Sequence, residues 1–376
     1  MNEGTKKKVT AIVIVFLVIV SSIAIYVILD KLEFFNKPSK PVIEQNESSE
    51  KEVLSPTAIK VTGMMRQLDE SMIKGYIEKL TSFGPHPTAH RMLYKLSNRP
   101  IIGKFFDLPI EKVAKYIYSE FESMGLKVRY QYWEEEPTIE NLGKPYSLSR
   151  WNLGNNIEAT LPGTNESSDE IYVLSAHYDT MYHLGMHGNI LDIIIGGDVG
   201  ANDDSSGVAF LLAAAKVMSQ YSFNHTIRFV AVSGEEEGLL GSDAYAKEAA
   251  KNNDNIVAVF NVDMIGNRNP GWRNTEVEVF GYNDSLIVNS TISINKRYPE
   301  FLNFTIIRDI PEHYGSDHKS FIKYGYDAVD FTEALDDYDW HKKSDTIENM
   351  DISYTTEISR LILATVAELA WGVNYG

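Results

Sequence analysis

Cysteine is absent from the 376-residue chain. Disulfides, thiol nucleophiles and cysteine-based zinc sites are thereby excluded. Positive charge is scarce: 35 Lys and Arg stand against 52 Asp and Glu, a net charge of −17 with histidine neutral. That balance favours solubility and argues against nucleic acid and anionic membrane surfaces as partners. No G-x-S-x-G elbow occurs, which disfavours a serine hydrolase. No internal repeat is visible. What is present is 44% hydrophobic residues over a length suited to one large domain or two small ones.

Long apolar runs are also rare, and the one near the N-terminus stands out. Lys6, Lys7 and Lys8 precede "VTAIVIVFLVIVSSIAIYVIL", residues 9–29, which carries no charge. About 20 apolar residues span a bilayer as a helix, and a cleavable signal has a shorter core and a small-residue cleavage site. The run therefore reads as an uncleaved signal anchor rather than a buried core helix. With the lysines held in the cytoplasm, residues 1–8 form a cytoplasmic tail. Everything after residue 29 lies outside, in a single-pass protein of the cell membrane. Residues 30–65 include "FFNKPSKPVIEQNESSEKEVLSPTA", whose composition predicts a flexible stalk. Residues 66–376 read as the globular domain.

In that domain, helical apolar spacing in "LDESMIKGYIEKLTSF" and "PIEKVAKYIYSEFESMGL" is followed by short apolar runs alternating with helical ones. Strands are predicted at 156–161, 171–175, 227–232, 256–262, 277–281 and 328–331. Helices are predicted at 207–220, 242–251, 285–296, 316–323 and 352–371. Near-continuous apolar strands alternating with helices indicate an α/β fold with a mixed, mostly parallel central sheet flanked by helices on both faces.

Sites in such sheets form beyond the carboxyl ends of the strands. "IYVLSAHYDT" ends in His177, with Asp179 two residues on. "IRFVAVSGEEE" ends in Glu235 and Glu236, and "IVAVFNVDMIG" in Asp263. "AVDFTEA" leads to "DWHKKSDT" and His341, and "GGDVGANDDSSG" carries Asp203 and Asp204 into a helix. Each has a plainer reading, since a carboxylate after a strand often caps the next helix. Ser233 and Glu236 fit a capping box. Three nearby glycines, Gly234, Gly238 and Gly241, argue against a helix starting at Ser233 and make Ser242 the better N-cap. Convergence of all these groups on one sheet edge favours a metal centre. Three gathered carboxylates, Asp203, Glu236 and Asp263, and one hydroxide balance two divalent cations, with His177 and His341 neutral. Imidazole with carboxylate suits zinc.

The ordered motifs "SAHYDT", "GANDDSSGVAFLL", "SGEEEGLLGSDAYA", "FNVDMIGN", "YGSDHKSF" and "WHKKSDT", with "LTSFGPHPT" and "NIEATLPG" before them, resemble the M28 family of co-catalytic zinc peptidases over roughly residues 70–376. The resemblance implies the zinc-exopeptidase α/β/α sandwich of phosphorylase/hydrolase type. It implies two Zn²⁺, other divalent metals being possible. His177 and Asp263 would bind one, Glu236 and His341 the other, and Asp203 both. Glu235 would be the general base to a hydroxide bridging the metals, and Asp179 would orient His177. The peptide bond between Asp203 and Asp204 is expected to be cis. Tyr314 is the candidate to stabilise an oxyanion, with His313 as competitor. Asp317 and His318 are expected to line the substrate site, capping of the following helix being an equal alternative. His183 and His187 mark a long stretch before Asp203, read as a loop beside the cleft rather than a further metal site.

The activity implied is that of an aminopeptidase acting on peptides with a free N-terminus. The alternatives are a related carboxypeptidase or dipeptidase, a glutaminyl cyclase, and a non-catalytic binding ectodomain. The first needs a cation for the substrate carboxylate, for which Arg268, Arg273 and Arg308 are candidates. The second resembles a version with a longer insertion after the Glu pair. The third is disfavoured by the complete ligand set. N-x-S/T sites at Asn46, Asn165, Asn224, Asn283, Asn289 and Asn303 could carry glycans outside the cell.

Overall fold

The computed structural model describes residues 55–88, 108–135, 152–181, 197–267, 275–282, 284–334 and 339–373. The predicted tail, the apolar segment 9–29 and the start of the stalk lie outside them, as do His183, His187, Arg268, Arg273, Asn46 and Asn283. Among the described residues no helix is long and apolar enough to cross a membrane.

Eight strands form one sheet: β1 (Lys127–Glu135), β2 (Asn152–Leu161), β3 (Ile171–His177), β4 (Thr226–Val232), β5 (Ile256–Val262), β6 (Glu276–Phe280), β7 (Thr305–Asp309) and β8 (Ala328–Glu333). Their order is β1-β2-β4-β3-β5-β8-β6-β7. The central run β4-β3-β5-β8 is parallel throughout, and β6 and β7 are also parallel. The pairs β1–β2, β2–β4 and β6–β8 are antiparallel. The α/β class with a mostly parallel sheet is thus as expected.

Alternation along the strands explains the layers. In β3, Tyr172, Leu174 and Ala176 enter the larger core, whereas Ile171 and Val173 enter the smaller one on the other face. In β4, Ile227, Phe229 and Ala231 again face the larger core, and Val230 and Val232 the smaller. Side chains of period two with both faces apolar require helices on both sides.

Among the described residues the α-helices are α1 (Pro56–Gln67), α2 (Glu70–Thr81), α3 (Pro109–Ser123), α4 (Ser205–Met218), α5 (Leu240–Asn252), α6 (Leu286–Arg297), α7 (His318–Lys323) and α8 (Ile352–Ala370). Helix α4 is buried nearly all round, which fits the apolar run from Val208 to Ala215. Asp204 caps it by accepting the Gly207 N–H at 2.9 Å.

The stalk expected to reach residue 65 ends earlier. Pro56–Gln67 is a helix whose Ala58, Val61, Met64 and Met65 are buried, and it packs on α8. The residues that read as linker chemistry are its start signal: Ser55 accepts the Ala58 N–H at 3.2 Å and Pro56 opens the first turn. Arg360 closes the other end by donating to the carbonyls of Met65 and Leu68 at 2.9 and 3.0 Å. Strands β1 and β7 were not predicted. Each is a sheet edge, so each lacks the continuous apolar run that marks a central strand.

Candidate metal centre and active site

Strands β3, β4 and β5 lie side by side and parallel, so their carboxyl ends open on one edge. His177 is the last residue of β3 and Asp263 follows β5 directly. After β4 the chain makes a tight turn through the three glutamates. Gly234 and Gly238 have φ of 81° and 110°, a region that side chains with a Cβ rarely adopt. Gly241 is demanded by contact: a Cβ there would stand 2.1 Å from the Ser233 carbonyl oxygen. The turn is pinned by Gly238 N–H and Leu239 N–H donating to the Glu235 carbonyl at 2.8 and 3.0 Å. The helix beyond begins at Leu240, with Leu239 at the N-cap in the left-handed region. Ser242, predicted as N-cap, instead sits in the first turn and bonds Ser320 Oγ at 2.8 Å.

Two donor groups result. His177, Asp203 and Asp263 form one; Asp203, Glu236 and His341 form the other, each with its ligand atoms within 4.8 Å of one another. Asp203 divides its carboxylate between them. Its Oδ1 lies 3.0 Å from His177 Nε2 and its Oδ2 lies 3.3 Å from His341 Nε2. His177 Nε2 is 3.5 Å from Asp263 Oδ1, and His341 Nε2 is 3.1 Å from Glu236 Oε2. His177 Nε2, Asp263 Oδ1 and Glu236 Oε1 are buried and make no hydrogen bond. Buried polar atoms left so, facing one another, are what a cation would satisfy. The residues therefore fit a metal centre.

The histidine tautomer agrees. His177 Nδ1 lies 3.0 Å from the main-chain carbonyl of Asp179. A carbonyl only accepts, so Nδ1 donates to it and Nε2 is the ring nitrogen available to a cation. The Asp179 side chain does something other than expected. Its Oδ1 is 3.8 Å from His177 Nδ1 and instead accepts the N–H groups of Gly234 at 2.8 Å and Glu235 at 3.4 Å. Asp179 thus orients His177 through its backbone and holds the glutamate turn through its carboxylate.

Crowded carboxylates shift one another. Loss of hydration, then the field of Asp263 and other acids, holds Glu235 well above its ordinary pKa against the opposing pull of His177. Burial, then Asp203, does the same to Glu236. Burial alone would lower the His177 pKa, but Asp203 and Asp263 outweigh it and hold the ring well above its ordinary value. Asp203, between two imidazoles, overcomes its burial and is pushed below the usual range. A divalent cation is the group that would relieve such repulsion.

Around the centre, the Asp203–Asp204 peptide bond is cis, as expected. Tyr314 stacks on Phe280 with ring centroids 5.0 Å apart. Burial, followed by the charge of Asp263, raises its hydroxyl pKa. His313 is half exposed and bonds Asp309 at 2.7 Å, so Tyr314 is the residue turned to the centre. Asp317 and His318 are fully buried. Asp317 occupies the N-cap position of α7 without a side-chain capping bond; burial pushes its pKa up to about 7. Burial pushes His318 down to about 4, and its Nε2 meets the Pro311 carbonyl at 3.3 Å. Glu237 is half-buried and belongs to neither donor group.

Two acids, Glu333 and Asp345, were missed by sequence reasoning, and a third, Asp204, was named there without its bonds to the ligand strands. Asp204 accepts the His177 N–H at 3.2 Å and the Met264 N–H at 3.3 Å. Glu333 accepts from Asn202 Nδ2 at 2.9 Å and from the Gly266 and Asn267 amides at 3.0 and 2.6 Å. Asp345 meets the Asn202 and Asp203 amides. The available signal was an acid beside a ligand motif, in "NDD", "FTEA" and "KKSDT".

With this geometry in view, the family model for peptidase family M28 matches residues 156–366. The chain belongs to peptidase family M28. It is similar to a "Probable zinc metalloprotease" of Leptosphaeria maculans, 24% identical over 347 residues, covering 82% of this chain and 76% of that one. A protein of the same description from Phaeosphaeria nodorum is 25% identical, with 82% and 68% covered. Among solved structures, the aminopeptidase from Aneurinibacillus sp. strain AM-1 superposes with a TM-score of 0.62 at 16% identity, covering 84% of this chain and 97% of that one. The glutaminyl cyclase of Bacteroides thetaiotaomicron gives 0.61 at 18% identity, covering 82% and 99%. Two chemistries thus share this fold. The M28 chain is a zinc-dependent metallopeptidase, and its donor groups are the candidate zinc site.

Proposed function

We propose that this M28 peptidase is an aminopeptidase with two zinc ions. His177 and Asp263 would hold one, Glu236 and His341 the other, and Asp203 both. The observation that carries the reading is the division of the Asp203 carboxylate between two histidines, 3.0 and 3.3 Å away. Bound zinc supplies a Lewis acid for the scissile carbonyl and brings the pKa of water down to about 7. Glu235 accepts the proton of the attacking water and returns it to the leaving amine. Asp179 keeps the Glu235 amide in place, and the Tyr314 hydroxyl donates to the oxyanion as it develops.

The aminopeptidase reading is favoured by similarity to solved aminopeptidases. Of the three arginines that a carboxypeptidase could use, Arg308 is the one among the described residues, and its position does not favour that reading. It is on edge strand β7, separated from β5 by β6 and β8. The reading extends to location: residues 9–29 would anchor the chain in the cell membrane with the peptidase outside the cytoplasm. Free and end-blocked peptides with mass detection test the direction of attack. Acetylating the N-terminus should abolish turnover, and amidating the C-terminus should not. Trimming from the C-terminus would establish the carboxypeptidase, and pyroglutamyl products the cyclase.

A further inference from the structure

We propose that Asp345 is a positioning residue of the metal centre, which locks the His341 loop against the Asp203 turn and so sets the second donor group. Asp345 is 1% exposed. Its Oδ1 accepts the Asn202 N–H at 2.7 Å, its Oδ2 the Asp203 N–H at 3.1 Å, and its main-chain oxygen the Ala201 N–H at 3.4 Å. One residue therefore grips three successive amides, ending at the aspartate shared by both groups.

The two groups differ in what builds them. His177 is fixed at the end of a central strand and is 1% exposed. His341 lies in a loop outside any strand or helix, its side chain 26% exposed, with φ of 54°. Sheet pairing does not place its ring. The loop turns tightly, with Lys342 N–H donating to Asp339 O and Asp345 N–H to Lys342 O, both at 3.0 Å. Four residues after His341, Asp345 transmits the position of the Asp203 turn to that loop.

Asp203 is tied to the first group by other bonds. Asn202 Nδ2 donates to Glu333 at 2.9 Å and Asn202 Oδ1 accepts the Gly266 N–H at 2.8 Å. Asp204 meets the His177 and Met264 amides. Weakening Asp345 should therefore release His341 from Asp203 while Asp203 stays with His177. Asp345→Asn keeps the shape but turns an amide donor towards a backbone N–H, so one bond is lost and two donors face each other.

The proposal rests on His341 being a zinc ligand. Its test is zinc content and competition with a chelator for wild type, D345N, H341A and the double variant. Wild type should hold two zinc ions and H341A one. In D345N the weaker dissociation constant should rise about 10–100-fold, as for other residues that orient ligands, and the tighter by less than about twofold. In the H341A background D345N should change the remaining site by less than about twofold. Zinc should raise the melting temperature of D345N less than that of wild type. Equal weakening of both sites, a further loss in the H341A background, or unchanged constants would overturn the proposal. An equal zinc-induced rise in melting temperature, with D345N simply less stable, would also overturn it. If H341A held as much zinc as wild type, the two-metal reading would fail, and this proposal with it.

Discussion

At the scale of single residues, three adjacent glutamates have three different surroundings. Glu236 joins His341 and Asp203, Glu235 has its amide on Asp179, and Glu237 stands in neither donor group. Neighbouring side chains cannot share one target on a regular element; the glycine-bounded turn is what separates their tasks. Glu235→Gln should keep the zinc and lower kcat by roughly 10²–10⁴-fold, the usual contribution of an acid–base group. Glu236→Gln should lose zinc, and excess zinc should restore part of the activity. Glu237→Gln should change kcat little. Elemental analysis beside kcat for the three variants checks this. Metal loss in Glu235→Gln with full metal in Glu236→Gln would reverse the two roles.

At the scale of elements, α1 and the outer sheet strands are the informative cases. Met65 is fully buried where α1 meets α8, so Met65→Ala should destabilise the fold by about 2–5 kcal/mol, read from urea denaturation. A loss below about 0.5 kcal/mol, the size of a surface substitution, would mean that α1 is not part of the folding unit. Under α5, Arg129 on β1 bonds Glu158 on β2 at 2.8 Å and Glu248 at 2.9 Å. Burial would raise the Glu158 pKa, but Arg129 and Arg228 overcome it and hold the carboxyl below its ordinary value. A depressed folded pKa gives stability that is complete above the unfolded value, near 4.5. That stability is lost as pH falls through the folded value. Wild type should therefore exceed Glu158→Gln in stability at pH 7, and the gap should narrow as the pH falls below about 4.5. A gap independent of pH would remove the charge from the explanation.

For the whole molecule, the open matter is how the peptidase is carried. The lysines before an uncharged run at residues 9–29 lead to the prediction that protease added to intact cells releases an active domain. Because Pro56–Gln67 is a packed helix, the cut should fall between residues 30 and 55 rather than reach residue 65. Protection of the domain until the cells are lysed would refute the topology.

What the sequence determined by itself was the class of fold and the residues that meet in the candidate metal centre. Central strands are apolar on both faces, so β3, β4 and β5 were legible as short continuous runs. The polar residues ending them had to lie on one sheet edge. His177, Asp203, Glu236, Asp263 and His341 followed from that pattern and from the resemblance. Edge strands β1 and β7 were not legible, because one side of each has no partner and the hydrophobic signal weakens. Helix α1 was hidden because a cap and a proline read the same in a linker and at a helix start. Only the tertiary structure decided that Tyr314 rather than His313 faces the centre, that Asp317 and His318 are buried, and that the Asp179 carboxylate serves the glutamate turn. It alone brought Asp345 to the amide of Asp203, 142 residues away in sequence. A strand or helix repeats a local pattern that the chain displays. A hydrogen bond between two loops depends on where the sheet delivers them, and no local pattern records that distance.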